Sequence, residues 1–329
     1  MNIIEPNYAK LIEYVRTGLV EQVHFGLIIH MNKERIINKI GEDNGYKFYH
    51  RSCMKPLQVS PLIDLNIDNK YGLTEEEIAV CCASHTGDKI HQKYINSILE
   101  KTGFTEDDLL CPAHEPLSKK ECDYLLLNSL LPQKIHNNCS GKHSAMLAIC
   151  KEKGFPIKNY KDFSHPLSDF IIGKVCELCE VDRKDIVISK DGCGLPVVAT
   201  TLEELGRGFL NLFTNPKYKK ITCAFLNNPV LIGGEGRLDT EIIQNTKNVI
   251  AKVGAAGLCV IVNLEKEEAI VIKIADSNME ARAMTAFEVL KQGKWTESGS
   301  VRINNINRGE IRTLDYYLIG EINSCFSLF

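Results

Sequence analysis

The placement of strand-like and helix-like segments most limits what this chain can fold into. Runs rich in β-branched residues lie toward both ends, and helical patterns fill the middle. Val23–Met31 (VHFGLIIHM) and Arg35–Ile40 (RIINKI) read as strands, followed by a turn-like stretch from Gly41 to Gly45. Toward the other end, Gly257–Asn263 and Ala269–Ile274 read as a hairpin around the charged turn Glu265–Glu268. Between these groups the spacing predicts helices over Ser52–Leu65, from Thr74 to about Ala83, and over Asp88–Thr102, Ser140–Lys153, Pro166–Glu180 and Val197–Phe213. Thr74 to Glu77 is a capping box, and Gly103 is a helix stop. Ile186–Ser189 reads as a strand and Met279–Leu290 as a last helix. This order predicts an α/β/α (α+β) protein, an antiparallel sheet with flanking helices and a helical region. No repeat, low-complexity stretch or linker divides residues 1–329, so a single domain is expected.

Composition excludes several function classes. The 39 basic and 42 acidic residues leave a net charge of −3, with no basic excess to support a nucleic-acid or membrane-surface partner. No apolar run approaches the ~20 residues needed to span a bilayer. The opening Met-Asn-Ile-Ile-Glu-Pro lacks the regions of a secretion signal. Thirteen cysteines, an odd number, then point to thiols in a reducing cytoplasm, most of them packed in the core.

A few motifs carry chemistry. Ser52-Cys-Met-Lys55 is an S-x-x-K pair, and residues three apart share a helix face, so the lysine amine can reach the serine hydroxyl. A neutral Lys55 could take the Ser52 proton, and a helix start supplies N–H groups for an oxyanion. Pro56 suits a first helical turn but disfavours helical geometry at Lys55. Cys139, Lys142 and His143 cluster at a predicted helix start, and Cys193 lies in the glycine-flanked turn Asp191-Gly-Cys-Gly194. Two thiolates from separate segments could hold zinc, although a usual structural site has four Cys/His ligands. Cys176 and Cys179 form C-x-x-C inside a predicted helix and read as packing. Ser84 and His85 are adjacent, so His85 is not read as the base of Ser84. Lys273 alternates with Ile272 and Ile274 in an apolar strand, and reads either as a solvated edge residue or as a desolvated lysine facing a cleft.

Taken in order, Val15–Gly26, Arg51–Gln58, Cys82–Asp88, His136–His143, Asp191–Pro196, Gly236–Thr240 and Lys252–Gly257 resemble the rhizobial-type, thermolabile L-asparaginases, or asparaginase II family. The resemblance implies a fold similar to serine β-lactamases and glutaminases. It implies a Ser52–Lys55 tandem and a second tandem of Ser84 and Lys273. It also implies a zinc ion held by Cys139, Lys142 and Cys193, and Arg51 and Asp191 as charge-complementary neighbours of substrate. Lys252-Val-Gly254 resembles a Lys-Thr-Gly motif, which makes Lys252 a rival to Lys273. Ala255-Ala256 stands where the family pattern expects Ala-Glu. The expected activity is hydrolysis of the side-chain amide of L-asparagine by a cytoplasmic homodimer. The rival readings are a glutaminase or another penicillin-recognising acyl enzyme, and a non-catalytic zinc protein on the same fold.

Overall fold

The computed structural model describes residues 5–296 and 309–329. The first residues of the chain, read above as having no secretion signal, lie partly outside that span. Eleven strands occur among the described residues: β1 (Ala9–Arg16), β2 (Leu19–Met31), β3 (Ile36–Ile40), β4 (Phe48–Tyr49), β5 (Val187–Lys190), β6 (Pro196–Thr200), β7 (Val249–Val253), β8 (Leu258–Asn263), β9 (Glu268–Ile274), β10 (Glu310–Arg312) and β11 (Leu318–Ser324). The main sheet runs β10-β11-β1-β2-β9-β8-β7, with β3 also paired to β2. Its pairings are antiparallel. The predicted hairpin is β8–β9, in register from Leu258 opposite Lys273 to Asn263 opposite Glu268. A small antiparallel sheet, β4-β6-β5, lies apart from it.

Strand alternation assigns the layers. Met31 and Val271 pack against Gly206 of the helix Leu202–Phe213. His30 points to the other face and meets Trp295, just beyond the helix Met279–Gln292. Helices therefore cover both faces, as expected. β7, β8 and most of β9 are buried along their whole length, the pattern of strands covered on both sides. Among the described residues no helix is long and apolar enough to cross a membrane.

The helical region centres on Ser140–Lys153, whose residues from Ser140 to Cys150 are all buried. A helix surrounded by other elements has no polar face to show. Gly141 is required there, because a Cβ would overlap the Val80 carbonyl. This close approach sets the end of the helix Glu75–Cys82 beside the start of Ser140–Lys153.

Two predicted helices differ from the structure. Ser52–Leu65 is three short pieces, Arg51–Met54, Lys55–Val59 and Pro61–Asp64, divided at prolines that lack an N–H to continue the ladder. Lys55 nevertheless adopts helical angles (φ −55°, ψ −45°) before Pro56. The first part of Val197–Phe213 is strand β6. The helix begins at Leu202, where Thr201 and Glu204 form a capping box. The β-branched Val197 and Val198 pair with β5, so the start signal lies five residues later than the apolar pattern suggests.

Candidate active site

Ser52 is the second residue of a 3₁₀ turn, where the opening N–H groups have no intrahelical partner. The residue before it, Arg51, sits at φ 49°. Non-glycine residues avoid that region, and such outliers gather at functional sites. Ser84 follows the end of the helix Glu75–Cys82, with its N–H donating to the Ile232 carbonyl at 3.0 Å. Both serines line one open cavity of about 260 Å³ with Asn138, the loop from Val253 to Gly257, and Ser277. Ala256 (φ 57°) and Ser277 (φ 66°) are further positive-φ residues on its wall.

Lys55 is fully buried. Its Nζ donates to the carbonyls of Ala83 (2.6 Å) and Asn138 (2.9 Å) and lies 3.0 Å from Ser84 Oγ. The carbonyls can only accept, so they take two N–H groups. The third direction faces the Ser84 hydroxyl, which accepts from an ammonium and donates to a neutral amine. Burial pushes the Lys55 pKa below its ordinary value, with the Lys142 and Lys252 charges adding and Cys139 opposing. The closest serine partner thus differs from the expected tandem: among the described residues Lys55 makes no hydrogen bond to Ser52.

Lys273 is also desolvated, with its pKa lowered by burial. Its Nζ donates to the Ile274 carbonyl at 2.7 Å and stands 6.0 Å from the Phe48 ring centre. No hydrogen bond joins it to Ser84 among the described residues. Its rival Lys252 is fully buried and paired with Asp239, Nζ to Oδ2 3.3 Å. Burial raises the Asp239 pKa, but the Lys252 and Arg237 charges outweigh it and hold the carboxyl below its usual value. Neither lysine completes a hydrogen-bonded tandem with Ser84, and Lys252 acts on Lys55 through its charge. Cys53, inside the serine motif, donates to the Lys252 carbonyl, and burial raises its pKa to about 12. It is no thiolate nucleophile.

Cys139, Lys142 and Cys193 converge, although they come from the start of a helix and a distant turn. Lys142 Nζ lies 3.3 Å from Cys193 Sγ. A hydrogen bond with Cys139, together with the Lys142 charge, holds the Cys193 pKa low against burial. Lys142 is raised: burial lowers it, and the two sulfurs outweigh that. All three are buried. His143 stands against Cys193, its Nδ1 is bonded to the Tyr160 hydroxyl at 2.7 Å, and its buried Nε2 has no hydrogen-bond partner. Two cysteine sulfurs and the Lys142 nitrogen at one point form a nitrogen–sulfur donor set that fits zinc once Lys142 gives up its proton, as metal binding requires. Among the described residues no group of three or more His, Cys, Asp or Glu could hold a metal ion, so this donor set depends on the lysine nitrogen. Arg51 and Asp191 form an ion pair, Nε to Oδ1 2.7 Å, and the Asp191 charge reaches Lys142. Cys176 and Cys179 are buried in the helix Pro166–Cys179, as packing predicts, and all thirteen cysteines are free.

Sequence reasoning gave no role to Asn138, Arg237, Asp239 or Arg282. Arg237 and Asp239 fall in the quoted stretch Gly236–Thr240, which was the available signal.

Comparison with known proteins adds the family. Two solved structures are similar in outline. One is a β-lactamase from Mycobacterium bovis, with 12% identity over 83% of this chain and 95% of that chain and a TM-score of 0.44. The other is a candidate β-lactamase from Bacteroides dorei, with 12% identity over 81% of this chain and 93% of that chain and a TM-score of 0.40. Curated proteins gave no match. The family model for L-asparaginase II matches residues 12–323, nearly the whole chain and every residue of the site just described. The chain belongs to the L-asparaginase II family.

Proposed function

We propose that the protein hydrolyses the side-chain amide of L-asparagine to L-aspartate and ammonia through a serine acyl enzyme. The observation that carries this reading is the meeting of Ser52 and Ser84 in one cavity, with the buried Lys55 amine 3.0 Å from Ser84 Oγ. Ser52 Oγ attacks the amide carbon, and its proton passes through the Ser84 hydroxyl to neutral Lys55. The tetrahedral intermediate collapses, the proton returns to the leaving nitrogen, and ammonia departs. Water then cleaves the aspartyl ester with the same relay. Lys273 enters the proposal as the second lysine of the site on the strength of the family resemblance alone.

Cys139, Lys142 and Cys193 would hold zinc, which when bound supplies a Lewis acid beside the cavity. Arg51 and Asp191 act as a pair on the metal side of the site. A reducing cytoplasm agrees with thirteen free thiols. The homodimer rests on the family resemblance.

The test is ammonia release from L-asparagine, L-glutamine and a chromogenic β-lactam side by side, with and without zinc. The reading expects asparagine to be turned over well ahead of the others, and it fails if asparagine releases no ammonia. The pH profile supplies a second check. Neutral Lys55 is the base, so kcat/KM should fall as pH drops through its lowered pKa, on the acid side of 10.5. For the metal, purified protein should carry about one zinc per chain by elemental analysis, and Cys193→Ser should remove most of it.

A further inference from the structure

The cavity shared by Ser52 and Ser84 is lined by no acidic residue, and its charged lining side chains are Arg237 and Arg282. Arg282 is already committed: it is buried, and its Nη1 donates to the carbonyls of Gly254 (2.7 Å) and Leu258 (3.4 Å). The Arg237 side chain makes no hydrogen bond or ion pair among the described residues, and it is half-buried rather than lost to solvent. Asp239, whose pKa it helps to lower, is paired instead with Lys252.

Arg237 is fixed relative to the serines. The Ile232 carbonyl accepts the Ser84 N–H at 3.0 Å, and Arg237 N–H donates to the Gly234 carbonyl at 3.3 Å. Gly234, at φ 118°, fits against Thr86 where a Cβ would overlap that side chain. The loop bearing Arg237 is therefore clamped to the Ser84–Thr86 segment on one side and continues into the helix Leu238–Gln244 on the other.

We infer that Arg237 is the anchor for the α-carboxylate of the substrate. This rests on the asparagine-hydrolysis reading. In asparagine the carboxylate carbon is three C–C bonds from the amide carbon, at most about 4 Å away. A group that binds it must line the same cavity as the serine that attacks the amide. Arg51, the earlier candidate, does not line that cavity and is paired to Asp191. A guanidinium with an open fork matches a carboxylate with two parallel N–H···O bonds. No acidic residue lines the serine cavity, so the Arg237 fork meets no carboxylate there; its charge acts on Asp239, which is already paired with Lys252.

The test uses full-length wild type, Arg237→Gln and Arg237→Lys. Each is assayed with L-asparagine and with 3-aminopropanamide, which lacks only the α-carboxylate, as substrate or competitive inhibitor. L-Aspartate binding is titrated in parallel by calorimetry. Arg237→Gln should raise KM for asparagine and Kd for aspartate by about 10- to 100-fold. It should leave kcat near wild type and leave the KM or Ki of 3-aminopropanamide unchanged. Arg237→Lys keeps the charge without the fork and should fall between. Unchanged aspartate affinity in Arg237→Gln overturns the inference, as does equal weakening of 3-aminopropanamide. If wild type binds aspartate but releases no ammonia from asparagine, the proposed function fails while the aspartate titration still decides Arg237. If wild type binds no aspartate, the inference fails.

Discussion

Ser52→Ala should lower ammonia release from L-asparagine by at least ~10³-fold while leaving aspartate binding nearly intact. Removing a nucleophile abolishes the covalent route and leaves only the stabilisation provided by binding and oxyanion contacts. Ser84→Ala should behave differently. It keeps the nucleophile and loses a proton-transfer partner, a role worth about 10²–10⁴ in rate. The two effects on rate overlap, so the covalent intermediate is the decisive reading. Mass spectrometry of acid-quenched enzyme should find an aspartyl ester in Ser84→Ala and none in Ser52→Ala. The opposite result would make Ser84 the nucleophile, a reversal to which the 3.0 Å contact between Lys55 Nζ and Ser84 Oγ lends geometry. Ser52 is favoured because it stands in an opening turn directly after the strained Arg51, at φ 49°. Lys55 follows three residues later at the start of the next helical piece and lines up with Ser84, so Ser52 reaches it through that hydroxyl.

What the sequence disclosed about this site follows the range of the interactions involved. Strands β2, β3, β8 and β9 and the helices after Asp88 and Ser140 were legible because periodicity and caps are local. So were the segments holding Ser52, Ser84, Cys139 and Cys193, whose motifs are each a few residues long. The pairing of side chains was not. The position of Lys55 Nζ is set by carbonyls of Ala83 and Asn138, 28 and 83 residues away in the chain. Those carbonyls are adjacent only because Gly141 lets two helices touch. Backbone acceptors carry no side-chain signature, so no motif could reveal them. Lys252 and Lys273 illustrate the same limit. Both lie in apolar strands, and only the packing shows that one meets Asp239 and the other a backbone carbonyl. β6 was hidden for a different reason: Pro196–Thr200 runs straight into a capped helix, and the apolar pattern continues across the join.

Asp239→Ala should cost about 3–5 kcal/mol of stability, because it leaves the fully buried Lys252 ammonium without its partner. In a thermal melt this is a drop on the order of 5–10 °C. The stabilising charge on Asp239 is present above its unfolded pKa of 3.8, since the folded pKa lies lower, and is lost as pH falls through the folded value. The deficit of the variant should therefore shrink in strongly acid solution. Replacing both partners, as Asp239→Leu with Lys252→Met, removes the unpaired charge and should recover most of the lost stability. That double variant then separates fold from function. It lacks the Lys252 cation that helps to hold the Lys55 pKa down, so more Lys55 is protonated at a given pH. The acid limb of its kcat/KM profile should move to higher pH, with activity near neutrality reduced although the protein is folded. A double variant that melts like wild type and keeps the wild-type acid limb would show that the buried pair supports structure alone.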